Sequence, residues 1–201
     1  MSERLEKALA LIDEANREDP NRDPVSPDLP KALVYGWRMS EWLARICDQP
    51  SEALALAARG QHIRRWQVPR DRYAADRAGY LAWRTHLYGF HAEQLAGILR
   101  HVDYDPETIE RATGIVAKRR LKRDPETQAL EDAACLVFLN YEFADFADSH
   151  DAEKLVAIVR KTWGKMSERA HTAALALELP ERLAGLVAAA LAPVEADGVS
   201  G

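Results

Sequence analysis

The chain has little of what a stapled, membrane-spanning or duplex-coating protein needs. Cysteine occurs only twice, at Cys47 and Cys135. Each stands among apolar neighbours, Ala44-Arg-Ile-Cys47 and Ala133-Ala-Cys-Leu-Val137, so both read as small buried hydrophobes with no disulfide between them. At 201 residues the chain is long enough to bury a large core without a covalent or metal staple. No run of about 18 apolar residues occurs, which excludes a helix that crosses a membrane. The opening residues MSERLEKALALIDEAN carry scattered acids and no apolar stretch, so no signal peptide and a cytoplasmic location are expected. Net charge is only -5, with both signs interspersed; duplex DNA is excluded by that balance, whereas a small basic groove for an RNA end is not. A Gly-rich phosphate loop, a Gly-x-Ser-x-Gly elbow and a Cys-x-x-Cys pair are all missing, which leaves nucleophilic serine or cysteine chemistry without support. Strand-period alternation is absent too.

What remains is helix, punctuated by aspartate, serine and proline. Ser2 caps a helix to about Asn16 with Leu5, Leu9 and Ile12 on one face. Four prolines mark a loop from Asp19 to Pro30, and a second helix follows to about Cys47. Ser51 opens a third helix, expected through Trp66, and a long helix spans about Ala75 to His101. Asp105-Pro-Glu-Thr and Asp124-Pro-Glu-Thr are near-identical starts for helices 106–121 and 125–147, each with a capping carboxylate and a proline whose missing N–H costs nothing. Asp151, Ser167 and Pro180 begin the remainder. The expectation is an all-α orthogonal bundle of seven or eight helices, one domain over 1–191, with a flexible tail at 192–201.

Several polar side chains fall where core is expected. On the long helix Tyr80, Arg84, Leu87, His91 and Ile98 share one face, and Trp83, His86, Phe90 and Glu93 a second. His62 follows Leu54 and Ala58, with Arg65 one turn further on. Glu131 and Asp132 stand at the entrance of an apolar run, Ala133 to Leu139, and a carboxylate buried there must be paired, hydrogen-bonded or metal-bound. His62, His91 and Asp132 therefore point inward from three helices and suit a divalent transition ion. Equally, each histidine reads as a satisfied core residue, and Asp132 as half of a buried ion pair with Arg65 or Arg84. The basic run Lys118 to Arg123 reads as a solvated helix end, and Lys161, Trp163 and Lys165 as packing with exposed amines.

Long strings, among them Ala57-Ala-Arg-Gly-Gln-His-Ile-Arg-Arg-Trp-Gln-Val-Pro-Arg70, Gly79-Tyr-Leu-Ala-Trp-Arg84 and Asp124-Pro-Glu-Thr-Gln-Ala-Leu-Glu-Asp-Ala-Ala-Cys-Leu-Val-Phe-Leu139, resemble the family catalogued as domain of unknown function 4202, which brings no activity with it. A more distant likeness is to HD-domain phosphohydrolases. That resemblance implies a bound manganese, iron, zinc or nickel ion, with His62 as first ligand and Asp132 as last. The family's His-Asp pair on a second helix has no match on the long helix here, where His86 or His91 with Glu93 would replace it. The function implied is metal-dependent hydrolysis of a phosphorylated or nucleotide-like small molecule. In it Arg65 and Arg84 clamp phosphate, Glu131 acts as general base, and Arg59, Gln61, Arg70 and Lys161 bind ligand. The alternatives are a non-catalytic binding domain for an anionic ligand or RNA end, and a structural or interaction protein.

Overall fold

Serine and aspartate oxygens start most of the helices. A computed structural model describes residues 2–192; from residue 193 on, the tail expected to be flexible lies outside the described residues. Ser2 Oγ accepts the Leu5 N–H, Ser51 Oγ that of Leu54, Asp105 Oδ1 that of Thr108 and Asp151 Oδ1 that of Lys154, each satisfying a donor that the first turn leaves free. The helices are α1 (Glu3–Arg17), α2 (Lys31–Ile46), α3 (Glu52–Arg59), α4 (Arg77–His101), α5 (Pro106–Val116), α6 (Pro125–Val137), α7 (Phe143–Asp148), α8 (Ala152–Trp163), α9 (Glu168–Leu175) and α10 (Glu181–Leu191).

These are ten helices among the described residues, against seven or eight expected, and no strand. The starts read from the sequence number nine, and a break in the sixth helix adds the tenth; a second break shortens the third. The third helix stops at Arg59, and Arg64 takes a left-handed backbone, φ 51. The sixth does not run straight through to 147. It passes through a π-helical stretch, Phe138–Glu142, before α7, a local widening that often marks functional sites.

Helix α2 is the axis of the packing. It lies on α1, α3 and α6, while α3 also meets α5, α4 runs along α5, and α8 packs on α10. Buried apolar side chains form one cluster that draws on every helix, from Leu5 in α1 through Leu136 in α6 to Ala190 in α10. Burial of this kind stabilises by roughly 25 cal/mol per Å² of apolar surface. The approach of α2 to the end of α3 depends on Gly36, where a Cβ would lie 2.9 Å from the Arg59 carbonyl oxygen. The proline-rich loop is tied down by Arg38, whose guanidinium donates to both Asp23 oxygens at 2.7 and 2.8 Å in buried surroundings. Among the described residues no helix is long and apolar enough to cross a membrane.

Candidate functional site

The break after α3 opens the centre of the bundle. Gln61, His62 and Arg65 leave the helical path there and meet α4, α6 and the π-helical stretch around a cavity of ≈ 270 Å³. A second cavity of ≈ 630 Å³ shares Tyr35, His62, Arg65, Trp83 and Glu142 with the first, so the two are compartments of one cleft. Helix α4 supplies Tyr80, Trp83, Arg84 and His91. Tyr80, Arg84 and His91 share a face of α4, and Trp83, from the other face named above, reaches the same space.

Four cations surround the first cavity: Arg65, Arg84, Lys118 and Lys165. Among the described residues two carboxyls line the same cavity, Glu142 and Glu131, and Glu131 is the one paired with these cations. It takes an ion pair from Lys118 and a longer one, 3.7 Å, from Lys165. Burial opposes its ionisation, but the two lysines prevail and hold the carboxyl below its usual range. Glu142 goes the other way: burial outweighs Lys31, Arg65 and Arg38 and raises it. Arg84 donates to Tyr88 Oη at 2.5 Å. Arg65 lies over the Trp83 ring, 4.7 Å from its centroid, and among the described residues no group accepts a hydrogen bond from its guanidinium. Burial presses its pKa down, yet an arginine stays charged in a protein.

The two inward histidines are neighbours. His62 stacks on Tyr35 at 4.0 Å between centroids, and its ring lies 5.8 Å from that of His91. Burial, then the positive charge of Arg65, depress both, His91 to about 3 and His62 well below its ordinary value. Neutral imidazoles are therefore the state at pH 7. His91 Nδ1 lies 3.0 Å from the Ile63 carbonyl oxygen, which can only accept, so Nδ1 carries the hydrogen and Nε2 presents a lone pair.

Asp132 is not brought to this pair. Its Oδ1 accepts from Gln128 Nε2 and from the Ser167 N–H, both at 2.9 Å, and its Oδ2 from Ser167 Oγ at 2.6 Å; the carboxylate fastens the start of α9 to α6. Nor does it pair with Arg65 or Arg84. His86 is exposed and bonds Tyr73 Oη, and Glu93 is exposed. The one adjacent His-Asp pair of the chain, His150-Asp151, is structural: His150 stacks on Phe146 and Asp151 caps α8. No group of three or more His, Cys, Asp or Glu among the described residues converges closely enough to hold a metal ion. The side chains as arranged do not fit the divalent-ion set, since a first shell needs donors at about 2.0–2.3 Å.

The residues expected to bind ligand divide. Gln61 lines the cavity. Arg59 instead donates to Asp13 at 2.8 Å and to Ser40 Oγ at 2.9 Å, and Arg70 donates to the Tyr73 and Ala74 carbonyls. Lys161 is exposed, whereas Lys165 reaches the cavity. In the basic run Arg119, Arg120, Lys122 and Arg123 are solvated as expected. Lys118 is not: a left-handed backbone, φ 55, turns its ammonium inward.

A family model described as "Domain of unknown function (DUF4202)" matches residues 6–187. No curated protein and no solved structure matches the chain.

Proposed function

Because the chain belongs to the DUF4202 family, whose description assigns no activity, we propose its function from the chemistry of the cleft: a pocket that binds a small phosphorylated or similarly oxyanionic molecule. Arg65 carries this reading. Its guanidinium is half-buried and has no acceptor among the described residues, and it faces a cavity that three more cations share. Glu131 and Glu142 together offset at most two of the four charges, which leaves an excess of positive charge in a partly desolvated space. An entering oxyanion would give Arg65 its missing acceptors in the planar, two-pronged geometry that suits phosphate. The size of the cavity fits a small molecule or the terminal phosphate of an RNA strand, not a duplex.

A metal-dependent hydrolase draws no support from the donor set, since Asp132 and Glu131 are already engaged. The test is isothermal titration calorimetry of the full chain with inorganic phosphate and with pyrophosphate. One saturable site per chain is expected, weakened by about 1.5–3 kcal/mol in Arg65→Met, the usual worth of a hydrogen bond to a charged group. Absence of saturable binding of either anion to the folded protein, or equal affinity in the variant, overturns the reading.

A further inference from the structure

Two buried polar atoms in the cavity wall have no partner: His91 Nε2 and Gln61 Oε1. His91 is 3% exposed and Gln61 5%, so water at the surface does not serve them. Both are acceptors. The His91 assignment follows from the bond its Nδ1 makes to the Ile63 carbonyl, and the Gln61 amide, which no other hydrogen bond orients, is placed with its oxygen at the buried end. Buried acceptors without donors are uncommon and each bears the desolvation of a lone pair.

An oxyanion alone does not explain them. Phosphate at pH 7 presents mainly acceptors and would be repelled by both atoms, while its natural partners are the cations opposite. The missing partner must therefore be a donor. It must also be neutral, because Arg65, Arg84, Lys118 and Lys165 would repel an ammonium group. A hydroxyl meets both conditions; enclosed water would as well, and the matched alkyl probes below tell the two apart.

Resting on the anion-pocket reading, we propose that the occupant is a hydroxylated phosphomonoester of the sugar-phosphate or polyol-phosphate class, its phosphate held by Arg65 and Arg84 and its hydroxyls donating to His91 Nε2 and Gln61 Oε1. Selectivity then resides in the two acceptors. A site built to pair a hydroxyl rejects the analogue that lacks it, because the buried acceptor is left unpaired. Burial and the charge of Arg65 keep His91 unprotonated, with its pKa depressed to about 3, so the acceptor persists across the physiological range.

The experiment is calorimetry of the full chain with matched probes: glycerol 3-phosphate against propyl phosphate, ribose 5-phosphate against pentyl phosphate, and inorganic phosphate as reference. At least one hydroxylated probe is expected to bind about tenfold or more tightly than its alkyl counterpart. In Gln61→Met that ratio should shrink, each probe being referred to inorganic phosphate on the same variant, and His91→Leu provides a second variant should the first not fold. If neither hydroxylated probe outbinds its alkyl counterpart while inorganic phosphate still binds, this inference falls and the anion pocket stands. Loss of inorganic phosphate binding by the wild-type protein sinks both.

Discussion

The side-chain oxygen of Asn16, near the end of α1, accepts the backbone N–H of Arg64 at 3.1 Å. Arg64 is the residue with φ 51 that lies between the end of α3 and the 3₁₀ turn beginning at Arg65, and it separates His62 and Ile63 from Arg65. A buried asparagine 48 positions away thus holds the turn that delivers an imidazole and a guanidinium to the cavity.

Asn16→Ala should leave the Arg64 N–H without its partner and destabilise the protein by about 1–3 kcal/mol, read by urea unfolding. Phosphate affinity should fall as well, although Asn16 does not line the cavity. A loss of stability with unchanged affinity would mean that Arg65 is positioned by other contacts.

Stability should decline on mild acidification. His91 titrates at about 3 in the folded protein against about 6.5 when unfolded, and His62 is depressed too. The unfolded chain binds more protons in that window, so the stabilisation is complete above about pH 6.5 and is lost as pH falls towards about 3. Each depressed histidine contributes a slope of about 1.4 kcal/mol per pH unit within the window. Urea unfolding between about pH 7 and 5, where most carboxylates remain ionised, checks this. His91→Gln should flatten the slope, and an identical slope in that variant would count against a buried neutral His91.

Arg38 and Asp23 are both buried and doubly bonded. Removing one partner leaves an uncompensated charge, and Arg38→Met should cost about 3–5 kcal/mol. The double change Arg38→Met with Asp23→Leu should restore part of that loss in thermal melts. A double variant no more stable than the single would contradict the assignment.

Asp132→Ala separates a structural carboxylate from a ligand-binding one. Its partners are Ser167 and Gln128, so about 1–3 kcal/mol of stability should be lost while phosphate affinity in the folded variant is unchanged. Affinity that vanishes while stability is retained would place Asp132 in the site after all.

The contrast between Asp132 and its neighbour shows what the sequence could and could not reveal. Helix starts were legible because a cap is local: Ser51 and Asp151 bond N–H groups three residues on. Inward polar residues were legible from apolar helical faces, and His62, Arg65, Arg84, His91 and Glu131 do meet. Which of two adjacent carboxylates enters the cavity depends on about 100° of helical rotation, and Glu131 does, not Asp132. Lys118 was hidden by its left-handed backbone, since a helical continuation would have left it with its solvated neighbours. Glu142 was hidden by the π-helical stretch, which shifts the angular register that periodicity relies on. The turn at Arg64 is held by Asn16, a contact that no local pattern announces.

Diffraction from crystals of the protein soaked in tungstate, a heavy phosphate analogue, bears most directly on whether this cleft is an anion site. The account predicts an anomalous peak inside the first cavity, within hydrogen-bonding reach of the Arg65 guanidinium, that disappears in Arg65→Met crystals of the same form. Peaks confined to surface lysines and arginines, with the cavity empty at saturating tungstate, would contradict it.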